Sequence, residues 1–434
     1  MMGDGSASVA QDALGDSAGQ PQSSTARSST PRSAAGIATM AVRLGDPGDG
    51  PATGPAAGNG AGHAGGPQPG DPDLVDIADS LSTLKGEGRC LWLGGDETVA
   101  IERVTLDAAG DAYGAHVSFP IADFLPLPEG PDDDGIVPEI DIEGIDRAGG
   151  YLWFVGSHSL TRKRVKPGHA TEKALLRLAK VEKNRNRYLI GRIPVVISDG
   201  QPTLVASAPD PTRPGGRLTA AALGLRKQTR LTTALADDEH LGRFLKIPSK
   251  DNGLDVEGLA VVDEKIYVGL RGPVLRGWAV VLELRLVEGH GQDLLLAPVD
   301  ATVDAAVDAA ASRRDRGAAY RKHFLDLDGL GVRDILAHGD DLLLLAGPTM
   351  DLDGPVRVYR WRGAAHARTS VVVTGDQLER VVDIPYGDGV DHAEGITHVP
   401  GDDQTLLVAY DSPSPHRRPH PHEILLDLIP LPNP

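Results

Sequence analysis

DIEGID at 141–146, DVEGLA at 255–260 and HAEGIT at 392–397 are copies of one acidic phrase, and their recurrence decides the fold. About a dozen residues after each comes an apolar run that ends in a small-residue loop: YLWFVGSHS (151–159), KIYVGLRGP (265–273) and TLLVAYDSP (405–413). Two weaker copies share the layout. VRDILAHGDDLLLLAGPT (332–349) places Asp334, and DIADSLSTLKGEGRCLWLGGDET (76–98) places Asp79, where the others carry Glu. Self-similarity at such intervals is the signature of a repeat architecture.

Between the copies the chain is built of short β-rich runs broken by Gly, Pro and Asp, such as ETVAIERVTLD (97–107), YLIGRIPVVI (188–197) and WAVVLELRLV (278–287). Frequent short strands with turn signals mean all-β structure. The markers fall at 79, 143, 257, 334 and 394, with separations of 64, 114, 77 and 60 residues. The interval of 114 is close to two of the shorter ones, so a degenerate sixth unit is expected within 160–250. The resulting expectation is an all-β chain folded as a six-bladed β-propeller with short helical insertions. Five or seven blades, or a pair of β-sandwiches, are the alternatives. Residues 215–244, with leucines at near-helical spacing, are expected to give one or two short helices. The stretch 171–188 reads as helix or long strand, and the Ala-rich 301–324 as helix or disordered insert.

Residues 1–70 are Gly, Ala, Pro and Ser with isolated charges and no aromatic residue, a composition that reads as a disordered tail. A single propeller domain is expected over 72–430. Met40 offers a second start. The net charge of −18 argues against nucleic-acid binding, which needs clustered cations. No apolar run reaches the ~18 residues of a membrane span and no secretory signal is visible, so no membrane role and a cytoplasmic location are expected. The lone cysteine, Cys90, sits in the apolar run CLWLGG and reads as a small buried hydrophobe.

In a propeller the first strand of each blade starts, and the second ends, on the same face. That register gathers Asp79, Glu143, Glu257, Asp334 and Glu394 at one channel mouth, with Asp96, His158, Arg271 and Asp411 on the loops after the second strands. Carboxylates so placed repel one another unless protonated or shared with a cation. Ca²⁺, which takes oxygen ligands, is the expected ion, with those five as its ligands. Arg271 is the candidate for binding an anionic group, and His158 and Asp411 are the other candidate catalytic residues. The basic run Arg162–Lys166 reads as a solvated loop or as a neighbour of such an anion. His392 and His398 flank Glu394, but nothing else at zinc-ligand spacing supports zinc. Nucleophile-elbow, P-loop and dinucleotide motifs are absent. The alternatives are a propeller that holds a ligand or partner protein at the same face without catalysis, and acidic positions that serve only as structural turn residues.

The block IPSKDNGLDVEGLAVVDEKIYVGLRGPVLRGWAVVLEL (247–284), together with LWLGGDET, LIGRIPV and the phrases above, resembles the bacterial domain-of-unknown-function family number 3616 over about 75–427. The E-G strand starts are more distantly similar to phytase-type esterase-like domains and calcium-dependent propeller hydrolases. That resemblance implies a calcium held through acidic side chains of several blades, reaching here Glu143, Glu257 and Glu394, with Asp334 and Asp79 by register. It also implies a hydrolase of a small anionic ester, either a phosphate ester or a lactone. The chain lacks the Asn ligand and catalytic motif of those enzymes.

Overall fold

The computed structural model describes residues 37–45, 77–299, 319–350 and 352–432. The structure of these residues is almost wholly β. Five groups of mainly antiparallel strands follow the five sequence markers, the first and last joined in one eight-stranded sheet, and their first strands are Leu81–Glu87, Ile142–Ala148, Asp255–Val262, Gly331–His338 and His392–Val399. Each first strand pairs with an apolar second strand: Cys90–Gly95, Tyr151–Gly156, Lys265–Leu275, Asp341–Gly347 and Asp402–Asp411.

The second strands explain their own sequences. Residues of a strand alternate between its two faces, so a run apolar at every position is a strand buried on both sides. In Tyr151–Gly156, Tyr151, Trp153 and Val155 enter one core cluster, while Leu152 and Phe154 enter the next. Leu342 and Leu344 likewise face away from Leu343 and Leu345. Five hydrophobic clusters result, each filled by two neighbouring sheets, and the last returns to the first. This closed ring is the arrangement of a five-bladed β-propeller. A sixth four-stranded unit is not found among the described residues, which add only three two-stranded ribbons. The long interval is filled instead by the outer strands Ile190–Ser198 and Gln201–Leu204 of the second blade, the helix Thr171–Ala179 and irregular turns.

The ring closes through the N-terminus. Ala38–Arg43 pairs antiparallel with Glu423–Pro430 of the last blade and parallel with Ala112–Pro120 of the first, burying Val42 and Leu44 in the seam between them. This corrects the sequence reading at those residues, which it placed in a tail. The rest of that tail, and 301–318 of the Ala-rich stretch, lie outside the described residues. Within 215–244 one short α-helix forms, Leu231–Ala234, behind two short strands and flanked by the 3-10 turns Lys227–Thr229 and Gly242–Lys246, and 171–188 opens with the helix Thr171–Ala179. No helix among the described residues is long and apolar enough to cross a membrane.

At the centre the first strands approach closely. A Cβ on Gly144 would stand 2.7 Å from the Leu259 amide nitrogen, and one on Gly258 2.7 Å from the Asp334 Cα. Gly258 also holds φ at +88°, a backbone conformation that only glycine adopts freely. The glycine after each Glu is therefore a spacer between blades.

Candidate functional site

A β-bulge near the start of each first strand fixes which residue faces the channel mouth. It falls at Ser82, Glu143, Glu257, Arg333 and Glu394, each between an apolar residue and the spacer position. Three of the acidic residues marked in the sequence occupy it. The other two do not. Asp334 takes the spacer position held by glycine in the Glu-bearing blades. Its carboxylate points inward, accepting the Ile335 and Ile396 amides at 2.8 Å each and so joining two blades. Burial pushes its pKa well up, against the lowering effect of those amides. Asp79 lies exposed in a 3-10 turn, paired with Arg418. The register was misread by one residue at Asp334 and by three at Asp79, where Ser82 stands in the equivalent place.

Three of the bulge residues, Glu143, Arg333 and Glu394, line a cavity of about 420 Å³ together with residues that follow the second strands. Glu143, Glu394, Asp96, Arg271 and Asp411 line it, so the shared face expected from strand geometry brings these five together. Glu257 stands behind the wall. Its Oε1 pairs with Arg271 at 2.8 Å, and Oε2 lies 3.5 Å from Arg333. His158 does not reach the cavity. Its ring is buried against Tyr188, Nδ1 is 2.7 Å from the Gly156 carbonyl oxygen, and burial pulls its pKa down to about 4. A proton shuttle placed there has no route to a substrate in the cavity.

Sequence reasoning passed over Asp141, Asp255, Arg187 and Arg333. Asp141 and Asp255 stand two residues before a Glu, in the written phrases DIE and DVE. Arg333 becomes visible when VRDIL is aligned on its apolar residues with IEGID, which places Arg where the others carry Glu. Arg187 carries no such signal. It comes from the connection Asn186–Tyr188 and is placed by the fold alone.

Each of these arginines is bound to carboxylates. Arg187 meets Asp141 at 2.7 Å and also Glu139, Arg271 meets Asp255 at 2.7 Å and Glu257, and Arg333 meets Glu394. Burial works against the charge on Arg271, but Asp255, Glu257 and two further carboxylates hold its pKa well above the ordinary value. Burial pushes Glu257 up to about 8, although Arg271 and Arg333 oppose the rise.

Asp96 and Glu143 differ from this pattern, because no Lys or Arg among the described residues pairs with either. Asp96 accepts the Ser82 hydroxyl. Glu143 is 7% exposed and has no hydrogen-bond partner among the described residues. Oxygen atoms of Asp96, Asp141 and Glu143 all lie within 4.8 Å of one another. Burial, then the neighbouring Asp141, Glu394 and Asp411, drive the Asp96 pKa well up. Burial, then Asp96, Asp141, Glu257 and Glu394, do the same to Glu143. Carboxylates raised in this way either hold protons or share a cation. On the opposite wall, His392 Nε2 lies 3.0 Å from Asp353 and its Nδ1 4.0 Å from Asp411. His398, the other residue of the zinc reading, turns instead to His338 at 3.2 Å.

The profile of the family described as protein of unknown function, DUF3616, matches residues 80–427. The chain belongs to that family. Among solved structures it is similar to a protein of Bacteroides fragilis provisionally described as a 6-phosphogluconolactonase, with 13% identity and a TM-score of 0.26. A protein of Bacteroides uniformis with the same description is 12% identical, also at a TM-score of 0.26. In both cases 75% of this chain and 62% of the other are covered, so the chain spans less than two thirds of their length. A protein from Lactobacillus plantarum is 12% identical over 76% of each chain, with a TM-score of 0.25. Likenesses of that size carry no argument, and the architecture above rests on strand pairing alone. No curated protein matches.

Proposed function

We propose that this DUF3616 member is a divalent-cation-dependent hydrolase of small anionic esters, phosphate esters or lactones, acting at the channel mouth. One observation carries the reading. Asp96, Asp141 and Glu143 bring oxygens within 4.8 Å of one another inside a cavity, and Glu143 has no hydrogen-bond or ion-pair partner among the described residues. Two ligands on opposite sides of one Ca²⁺ stand about 4.8 Å apart, twice a ~2.4 Å metal–oxygen distance, so the spacing fits a shared ion. The all-oxygen donor set favours Ca²⁺ over zinc, whose sites draw on His and Cys. A bound cation would polarise a phosphoryl or carbonyl oxygen and acidify a water.

The chain's own residues supply the rest of the site. Arg164 and Lys250 line the cavity and would meet the anionic part of the substrate. Arg271 keeps a bracing role, because both of its carboxylate contacts are made within the protein. His392, between Asp353 and Asp411, replaces His158 as the candidate for proton transfer.

A second reading, ligand binding without turnover at the same face, is favoured by the cross-bracing of Arg187, Arg271 and Arg333. These groups are committed to carboxylates and leave no evident nucleophile. The two readings part in a paired assay: thermal unfolding with EDTA or Ca²⁺, and turnover of p-nitrophenyl phosphate and of a lactone. Calcium stabilisation with turnover supports the hydrolase, and stabilisation without turnover supports the binder. With neither, the cation site itself is refuted.

A further inference from the structure

The insert Thr161–Glu182 stands beside the cavity as a two-stranded ribbon, Thr161–Arg162 with Val181–Glu182, carrying the helix Thr171–Ala179. It holds the densest cluster of exposed apolar side chains among the described residues. Of the eight large ones left exposed, four fall within one seven-residue run: Leu175, Leu176, Leu178 and Val181, at 61, 66, 49 and 42%.

The helix is turned inside out. At about 100° per residue, Leu175, Leu178 and Ala179 share one face with Leu176 at its margin, while Lys173 and Arg177 share the other. Core packing would turn the leucines inward. Here Arg177 is on the inner side, its Nε donating to the Arg164 carbonyl at 2.6 Å, and the Arg162 guanidinium reaches the Leu178 carbonyl. The helix buries no residue, and seven of its nine are exposed. Such a ridge projects from the blade and offers no groove to a peptide.

Charge selects the occupant. Residues 161–183 hold eight Lys or Arg against two Glu, in a chain of net charge −18. Asp251 takes Arg162, and Glu182 takes Lys163 and Lys180. Arg164, Lys166 and Lys173 are exposed, with no carboxylate partner among the described residues.

We infer that the insert is an interfacial anchor for an anionic lipid surface. Its leucines enter the headgroup region and its cations meet the phosphates. No helix among the described residues is long and apolar enough to span a membrane, and a helix lying in the interface needs no such length. Thr161 and Arg164 also line the cavity, so the insert's base adjoins the channel mouth. The inference stands independently of hydrolysis.

Sedimentation of the full chain with vesicles tests it. Binding is expected to equimolar phosphatidylcholine and phosphatidylglycerol, with at least tenfold weaker binding to phosphatidylcholine alone. Lys173→Gln should weaken binding about fivefold. Leu175→Ser with Leu176→Ser should abolish it while leaving the melting temperature nearly unchanged, because these side chains are 61 and 66% exposed. Three results would overturn the anchor: no binding to either vesicle, binding insensitive to the leucine pair, or a self-association that the leucine pair removes. The last would assign the ridge to a second copy of the chain.

Discussion

Glu143→Gln separates a cation ligand from a turn residue, because the two roles move stability in different directions. The carboxylate has no cationic partner among the described residues, and burial with four neighbouring acids makes its charge unfavourable. Neutralising it should leave the metal-free protein as stable as before, or raise its Tm by a degree or two. The calcium response should fall away. A ligand that binds only the native state at a hundred times its Kd stabilises by ~2.7 kcal/mol. Unfolding entropy of ~2.1 cal/mol/K per residue, over roughly 350 folded residues, gives about 0.7 kcal/mol/K. The parent protein should therefore gain about 4 °C on calcium addition, and the variant less than about 1 °C. Differential scanning fluorimetry at pH 8, with EDTA and then excess Ca²⁺, reads both quantities. A full calcium shift in the variant would refute the assignment. So would a metal-free Tm lowered by several degrees, since that would mean Glu143 has a structural partner.

The metal-free protein should lose stability as pH rises. Glu257 is held at about 8 in the folded state against 4.5 otherwise, so its protonated form stabilises fully below 4.5, and that contribution is lost as pH climbs through about 8. Unfolding scans in EDTA across that window should slope downward, and Glu257→Gln should flatten the slope. Arg333→Met leaves Glu394 and one oxygen of Glu257 buried without a counter-charge. It should cost about 3–5 kcal/mol by chemical denaturation, with part recovered in the double variant with Glu394→Gln. A chain begun at Gly45 loses Val42 and Leu44 from the closing seam, at about 1.5–3 kcal/mol each, and should become protease-sensitive at Glu423–Pro430. A chain begun at Met40 keeps both side chains and should melt near the parent.

The fold was legible where strands are buried on both faces. Runs such as YLWFVG and LLLLAG are apolar at every position because each supplies two neighbouring cores, and five such runs follow the five markers. The blade count was overread because spacing along the chain does not distinguish a further blade from a long insertion inside one. The closing strand was missed for a different reason. In TMAVRLG the apolar residues Met40, Val42 and Leu44 alternate over only five positions, within a Gly- and Ala-rich stretch. Its stability comes from pairing with residues nearly four hundred positions away, which no local pattern records.

The site was legible to the extent that each blade repeats itself. Glu143, Glu257 and Glu394 were found because they are copies, and the bulge that presents them is made by the same Glu-Gly pair. The residues that give the mouth its chemistry are the departures from that copy. Arg333 replaces a Glu and neutralises Glu394 beside it, and Ser82 replaces another and holds Asp96 by a hydroxyl rather than by a charge. Around a ring of five equivalent positions, one arginine and one serine thus break the symmetry. Arginines pair with Asp255, Glu257 and Glu394 and, in the second blade, with Asp141, while Asp96 and Glu143 have no Lys or Arg partner among the described residues. A repeat read as identical copies places a cation on the channel axis. On the proposed reading the substitutions move it off the axis, to Asp96, Asp141 and Glu143, and this off-axis position is what Glu143→Gln probes.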